Sequence, residues 1–574
     1  LALGARPALA ERLPTVELFP SNTVLFLSLT NAAEFKERFS ATALGRMGRD
    51  PQMRPLLEQV YGTLAQAFAA VQDDVGASLN ELLAIPQGEI ALGVVTREMQ
   101  PPAAIVLLEA RDNIFTLSKL LERGQALLEQ RGAQRSSEIV GDVELVSHVL
   151  PGGPNGGQRQ VAWCEKAGHL LLGNDPGLIK GVLEAWEAGR DNSLSQNASY
   201  AAILSRCRGS AEDAPQFIWY VDPIELVRSA GANNAQARVG LAILPALGLD
   251  GLKALGGTVA LATEQYDYLT HFHVLLDSPR AGVVELVALS NGDNSPPAWV
   301  PADAASYTSL YWDFDKTYDK LERLIDSFQG QGAFARAVAD RARDQLGVDL
   351  RDELLAALEG RVMLATWVEK PVTLTSQTTV VGLRLKDSAA FQATFDKLTA
   401  RFAAQLSRQT YGGVTYYELN TPLPNPNDQG GPRRPCFGIV GTDLVIADRT
   451  SAFHRAVVTA SDPANSLAGA LDYKLVASKI SRQPGGATAA MVSFNRPEEG
   501  MRMIYDLLTA QQTREGLRRG AQQSELLRGL NQALEQNPLP PFSVLQQYLA
   551  PGGALLSDDE TGIHYTSFAL RRKE

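Results

Sequence analysis

Gly76-Ala77-Ser78-Leu79-Asn80-Glu81-Leu82-Leu83-Ala84 and Gly347-Val348-Asp349-Leu350-Arg351-Asp352-Glu353-Leu354-Leu355-Ala356 are two spellings of one segment. Each runs into a glycine and a strand-like stretch, Gly88-Glu89-Ile90-Ala91-Leu92 in the first case and Gly360-Arg361-Val362-Met363-Leu364 in the second. Working outward, Asn192-Ser193-Leu194 with Tyr200 returns as Asn465-Ser466-Leu467 with Tyr473, at one constant spacing. Gly256-Gly257-Thr258-Val259-Ala260-Leu261 is answered by Gly552-Gly553-Ala554-Leu555-Leu556. The spacing drifts between anchors, as small insertions would make it, and the order of the anchors is kept. Internal similarity of this kind is the first thing to settle in a long chain. At 574 residues the protein is too long for one core of ~100–200 residues. Two divergent copies are therefore expected, over 11–290 and 302–574, with 291–301 as connector.

Ser290-Asn291-Gly292-Asp293-Asn294-Ser295-Pro296-Pro297 carries turn and polyproline signals, so the connector is short and the halves should touch. Within a copy, alternating apolar stretches at Thr23–Leu29, Glu89–Val95, Ala103–Leu108, Val143–Val149, Val161–Cys164 and Leu170–Gly173 predict strands. Helices are predicted over 32–39, 51–71, from Asp112 as N-cap, and over 177–188; Thr258–Thr263 with Tyr268–Leu276 reads as a hairpin. Strands grouped by short turns, with helices between the groups, predict an α+β fold of two tandem homologous repeats, each with mixed, largely antiparallel sheets.

A net charge of −11 excludes a broad nucleic-acid face. Three scattered cysteines, Cys164, Cys207 and Cys436, exclude a disulfide framework; a Cys164–Cys207 bridge and two buried thiols are both compatible with the spacing. No stretch approaches the ~20 apolar residues of a membrane helix. The longest, Val239–Leu249, is broken by Gly240, Pro245 and Gly248, and reads as a buried helix or loop. Ala8-Leu9-Ala10 has the small-x-small form of a signal-peptidase site, so residues 1–10 are expected to be a signal-peptide remnant and the protein periplasmic or secreted. The loops at Pro151–Gly157 and Pro422–Pro435 fall at equivalent places in the two copies. The second copy adds residues near 513–541, whose Leu517, Leu527, Leu530 and Leu534 lie beside Arg514, Arg518, Arg519 and Arg528. An extra helix packed on its own domain is expected there; a basic amphipathic helix on an anionic surface is the other reading.

Two constellations carry possible chemistry. Asp313-Phe314-Asp315-Lys316-Thr317, after the apolar Tyr307–Trp312, resembles the first motif of haloacid-dehalogenase-type phosphatases. That resemblance implies Asp313 as nucleophile, Asp315 as acid/base and magnesium beside them. The copy at 11–290 places Ala32 and Glu34 at those positions, and the same aspartates serve equally as a helix N-cap and first-turn acid. His271 and His273 share one face of a strand and offer two metal ligands without a visible third, so a solvated strand face is expected. No other motif for a cofactor, phosphate or nucleophile occurs, and no cofactor is expected.

The opening Leu18-Phe19-Pro20-Ser21-Asn22-Thr23-Val24-Leu25-Phe26, with Phe35, Arg38-Phe39, Asp50-Pro51 and Leu247-Gly248-Leu249-Asp250-Gly251-Leu252, is similar to a family of large exported bacterial proteins. That family is frequent in planctomycetes and catalogued as a domain of unknown function. The resemblance implies export and a repeated α+β build, and supplies no site residues. The expected function is a non-enzymatic binding or scaffolding protein of the bacterial envelope with a protein partner. The alternatives are carriage of a small or lipidic ligand between the repeats and magnesium-dependent phosphatase activity through Asp313 and Asp315.

Overall fold

A computed structural model describes residues 13–62, 77–98, 100–151, 159–209, 213–231, 235–369, 376–421, 433–522 and 525–572. The signal-remnant residues, Gly76, most of the Pro151–Gly157 loop and most of the Pro422–Pro435 loop lie outside these. The fold is α+β, and its twenty strands form one sheet. In chain order the first half supplies β1 (Thr23–Leu29), β2 (Ile90–Arg97), β3 (Gln100–Glu109), β4 (Gln134–Val140), β5 (Val143–Leu150), β6 (Arg159–Lys166), β7 (His169–Gly173), β8 (Phe217–Val221), β9 (Leu252–Leu261) and β10 (Tyr266–Leu276). The second supplies β11 (Ser306–Tyr311), β12 (Leu358–Val368), β13 (Gln377–Leu385), β14 (Leu406–Tyr411), β15 (Val414–Leu419), β16 (Cys436–Val440), β17 (Asp443–Ala447), β18 (Met491–Asn495), β19 (Gly552–Asp559) and β20 (Gly562–Leu570).

All pairings among these strands are antiparallel. Across the first half the order is β4-β5-β6-β7-β3-β2-β1-β8-β9-β10. From the opposite edge it is β14-β15-β16-β17-β13-β12-β11-β18-β19-β20. The two orders are the same, and β10 pairs with β20 where they meet, from Tyr266↔Leu570 to Leu275↔Gly562. The halves meet as expected, and they do so edge to edge: the inner strand of each hairpin would otherwise have a free edge, and each satisfies the other's backbone groups. Isolated bridges repeat too, Pro20↔Ser193 in one half and Pro301↔Ser466 in the other.

Helices start where the sequence offers caps. Asn31 accepts from the Glu34 amide, Asp175 from those of Gly177 and Leu178, and Asp387 from those of Ala389 and Ala390. Asp112 is not a cap, because a 3-10 turn, Arg111–Asn113, precedes the Ile114–Gln130 helix. Two large cores result, one centred on Phe19, Phe26, Ile105 and Tyr220, the other on Trp299, Tyr307, Trp367 and Phe494. Ala260, Tyr266 and Leu269 of the first half belong to the second core.

The added second-half residues form helices Gln511–Gly520 and Glu525–Gln536. Their outer end meets the other half: Gln59 Nε2 donates to Gln536 Oε1 at 2.6 Å, and Asn537 Nδ2 to Gln59 Oε1 at 2.5 Å. Beneath lies a cluster of Met47 and Met53 with Phe542, Leu545 and Leu549. The insertion therefore leans on both halves rather than on its own domain alone. Arg518 pairs with Glu535 and Arg528 donates to the Ala521 carbonyl, so two of its arginines serve the insertion itself. The apolar stretch at 239–249 contains the end of helix Ala235–Ile243, and Val239 and Ile243 are exposed rather than buried. No helix among the described residues is long and apolar enough to cross a membrane.

Candidate functional site

A cavity of about 820 Å³, partly open to solvent, lies in the first half between the sheet and helix Ala198–Cys207. Its floor is Phe26 and Ser28 of β1, Thr30 beyond it, and Ile218 of β8. Tyr200, Leu204 and Arg208 form the roof, and residues 14–17 close one side. The helix sits at this height because β9 carries Gly256, where a Cβ would lie 2.6 Å from Ile203 Cγ2. Asn197 caps the helix by accepting from the Tyr200 amide at 3.0 Å, while its Nδ2 donates to the Ser21 carbonyl at 2.8 Å. The asparagine of the Asn197-Ala198-Ser199 sequon is therefore engaged on both sides.

A hydrogen-bonded carboxylate stands on the cavity wall. Thr15 Oγ1 donates to Glu89 Oε2 at 2.6 Å and Ser28 Oγ donates to Oε1 at 3.1 Å, so the carboxylate is held in place on the cavity wall. Burial first, and the nearby Glu89 charge second, raise the Tyr200 hydroxyl's pKa, keeping it a neutral donor. The lining is otherwise mostly apolar, the usual make-up of a small-molecule site.

The second half builds the same framework from different side chains. Phe26 faces Gly93 and Tyr220 across the ladder as Tyr307 faces Ala365 and Phe494. On that register Ser28 matches Ser309, Thr30 matches Tyr311, and Glu89 matches Arg361. Arg361 is 2% exposed; its Nε donates to Ser309 Oγ at 3.0 Å and its Nη2 to Tyr307 Oη at 3.0 Å and to the Ser295 carbonyl. Tyr311 Oη donates to the Asp293 carbonyl at 3.0 Å. Arg361 and Tyr311, both buried and hydrogen-bonded to the connector, thus stand where the first half has Glu89 and Thr30 on its cavity wall.

A second polar cluster lies on the same sheet face at the seam. His271 and His273 are 4% and 0% exposed, which corrects the solvated face expected for them. The β10–β20 register sets His564 opposite His273 and Thr566 opposite His271, and His564 is 4% exposed. His271 Nδ1 and His564 Nε2 both lie within hydrogen-bonding distance of Thr566 Oγ1, at 3.1 and 3.3 Å. The His271 and His564 rings stack at 5.6 Å, and those of His273 and His564 lie 5.7 Å apart. Burial lowers all three basicities, to about 4 for His273, where Arg206 adds to it, and to about 3 for His564, where the other two imidazoles and then Arg206 add to it; at His271 the Asp213 charge opposes it. The His271 and His564 rings stack, the His273 ring is tilted by 44° from that of His564, and no metal-holding group of three or more such side chains occurs among the described residues. His564 escaped the sequence reading because its contact spans some 290 positions.

Asp313 and Asp315 sit apart from both clusters. Asp313 Oδ1 accepts the Lys316 amide at 2.9 Å as N-cap of helix Phe314–Gln329, and Asp315 is in the first turn. Thr317 Oγ1 takes the Trp312 indole N–H at 2.7 Å and donates to the Leu286 carbonyl at 3.0 Å. Asp558 and Asp559, at the end of β19, are bound by Arg280 and Arg206 respectively. The three cysteines are free and buried, and burial pushes each thiol up to about 12. A cleft of about 500 Å³ between the halves is lined by charged groups, Arg280–Asp558 and Lys320–Glu285 among them, rather than by an apolar wall. Comparison with protein-family models, with curated proteins and with solved structures found no match.

Proposed function

We propose that the chain is a non-enzymatic binding protein, that its halves descend from one duplicated unit, and that the first-half cavity takes a small amphiphilic molecule. The observation that carries this reading is the contrast at one framework position. Glu89, fixed by Thr15 and Ser28, borders a mostly apolar cavity of about 820 Å³, whereas Arg361 and Tyr311 stand buried and hydrogen-bonded at the corresponding positions. A concave, mostly apolar pocket of this size with a few placed polar groups has the make-up of a small-molecule site. An apolar body would lie against Phe26, Leu204 and Ile218, and a hydrogen-bonding head would meet Glu89 and Tyr200.

The test is titration with N-phenyl-1-naphthylamine, a neutral apolar fluorophore, at pH 7.5. Micromolar binding with a blue-shifted emission is expected, weakened by about tenfold or more in Leu204→Trp, whose indole would fill the roof. Equal binding by both proteins, or none by the wild type, contradicts the reading.

A further inference from the structure

We propose that the cavity is acid-gated, with His271, His273 and His564 as the sensor and helix Ala198–Cys207 as the moving roof; this rests on reading the cavity as a ligand site. The same helix covers both places. Tyr200, Leu204 and Arg208 face the cavity, while Arg206 and Cys207 lie over the imidazoles. Its C-terminal end is fastened next to the cluster. Thr258 Oγ1 donates to the Cys207 carbonyl at 2.5 Å, and Thr258 is the ladder partner of His271. Arg206 pairs with Asp559 of β19. Just beyond, Gly209 borders the cavity, and a Cβ on it would lie 3.6 Å from His271 Nε2.

Three ring nitrogens, His271 Nε2, His273 Nδ1 and His564 Nδ1, are buried without a hydrogen-bond partner among the described residues. Around them stand one cation, Arg206, and two carboxylates, Asp559 already paired with that cation and Asp213 near His271. Thr561 Oγ1 lies 3.5 Å from His273 Nε2. A proton on His273 or His564 would be desolvated and would repel both Arg206 and the neighbouring ring. Hydration relieves that only if the helix end lifts.

The sign follows from linkage. A buried imidazole with a lowered pKa leaves the closed form binding fewer protons than an open, hydrated one. Closure is therefore complete above the ordinary value of about 6.5 and is lost as pH falls toward about 4 and 3. The second half provides an internal control. Helix Leu471–Ile480 sits over Gly553 and Phe568, with Val476 where the first half has Ile203.

The experiment measures N-phenyl-1-naphthylamine affinity at pH 7.5 and 5.0, with hydrogen exchange of the two helices under the same conditions. Binding is expected to weaken by about tenfold at pH 5.0 in the wild type, and by less than about twofold in His273→Gln/His564→Gln. After correction for intrinsic rates, Ala198–Cys207 should lose protection at pH 5.0 while Leu471–Ile480 keeps it. Equal wild-type affinity at both pH values, an undiminished loss in the double variant, or equal protection of the two helices would overturn the gate. Absence of fluorophore binding at pH 7.5 would instead refute the cavity reading, and the exchange arm would still decide the switch even if the double variant failed to fold.

Discussion

Arg361 and Glu89 stand at the same framework position with opposite charge, and each is held by the same serine of the neighbouring strand, Ser309 in one half and Ser28 in the other. The arginine is buried in its half and the glutamate borders the cavity. Removing the guanidinium takes the charged donor from Ser309, Tyr307 and the Ser295 carbonyl at once, and leaves only the longer bonds from Tyr307 Oη to the Asn294 and Ser295 carbonyls, at 3.3 and 3.4 Å. Arg361→Leu is expected to cost about 2–4 kcal/mol in urea denaturation, since buried partners left unsatisfied carry their full desolvation penalty. A change below about 0.5 kcal/mol would mean that the pocket refills with water or side chains. At this scale the cap expected at Asp112 is absent, the alternative reading of Asp313 as a cap is met, and little chemistry was legible. Asp313, Asp175 and Asn31 all cap helices, as their residue types favour. That His271 and His273 are buried could not be read locally, because β20, their covering neighbour, comes nearly 300 residues later.

The elements are seated by two glycines, and these seats differ in a testable way. A Cβ on Gly553 would meet only side chains, Val476 Cγ1 at 2.5 Å, Ile480 Cδ1 at 3.0 Å and Phe568 Cζ at 3.3 Å. A Cβ on Gly256 would meet Ile203 Cγ2 at 2.6 Å and also the Trp219 carbonyl oxygen at 2.8 Å. Both Gly→Ala changes should therefore cost about 1–3 kcal/mol by overpacking. Val476→Ala should recover part of the loss at Gly553, whereas Ile203→Ala should recover little at Gly256, where backbone is in the way. Equal recovery in the two double variants, measured by chemical denaturation, would contradict this account of how the roof helices are placed. Most strands were readable because alternation of apolar residues is a local property. The exposed strand β4 was missed, since Gln134-Arg135-Ser136-Ser137-Glu138 shows no apolar alternation and its pairing with β5 alone makes it a strand.

Across the whole molecule, one sheet runs through both halves. The expectation of two touching units was too loose, because pairing between β10 and β20 depends on hairpin edges that a sequence pattern does not connect. Tyr266 and Leu269 of the first half sit in the core of the second, so the two should unfold together. A single calorimetric transition, with calorimetric and van't Hoff enthalpies in agreement, is expected; two resolved transitions would show independent halves. The cavity is likewise a property of the assembled whole: it is packing left undone, and no local pattern records an omission. Native mass spectrometry of the protein isolated from its own cells tests the central claim most directly. The binding account predicts one small amphiphilic molecule retained per chain, absent from Leu204→Trp prepared in the same way. A bare chain mass for the wild type, with no retained molecule in the gentlest spectra, would contradict it.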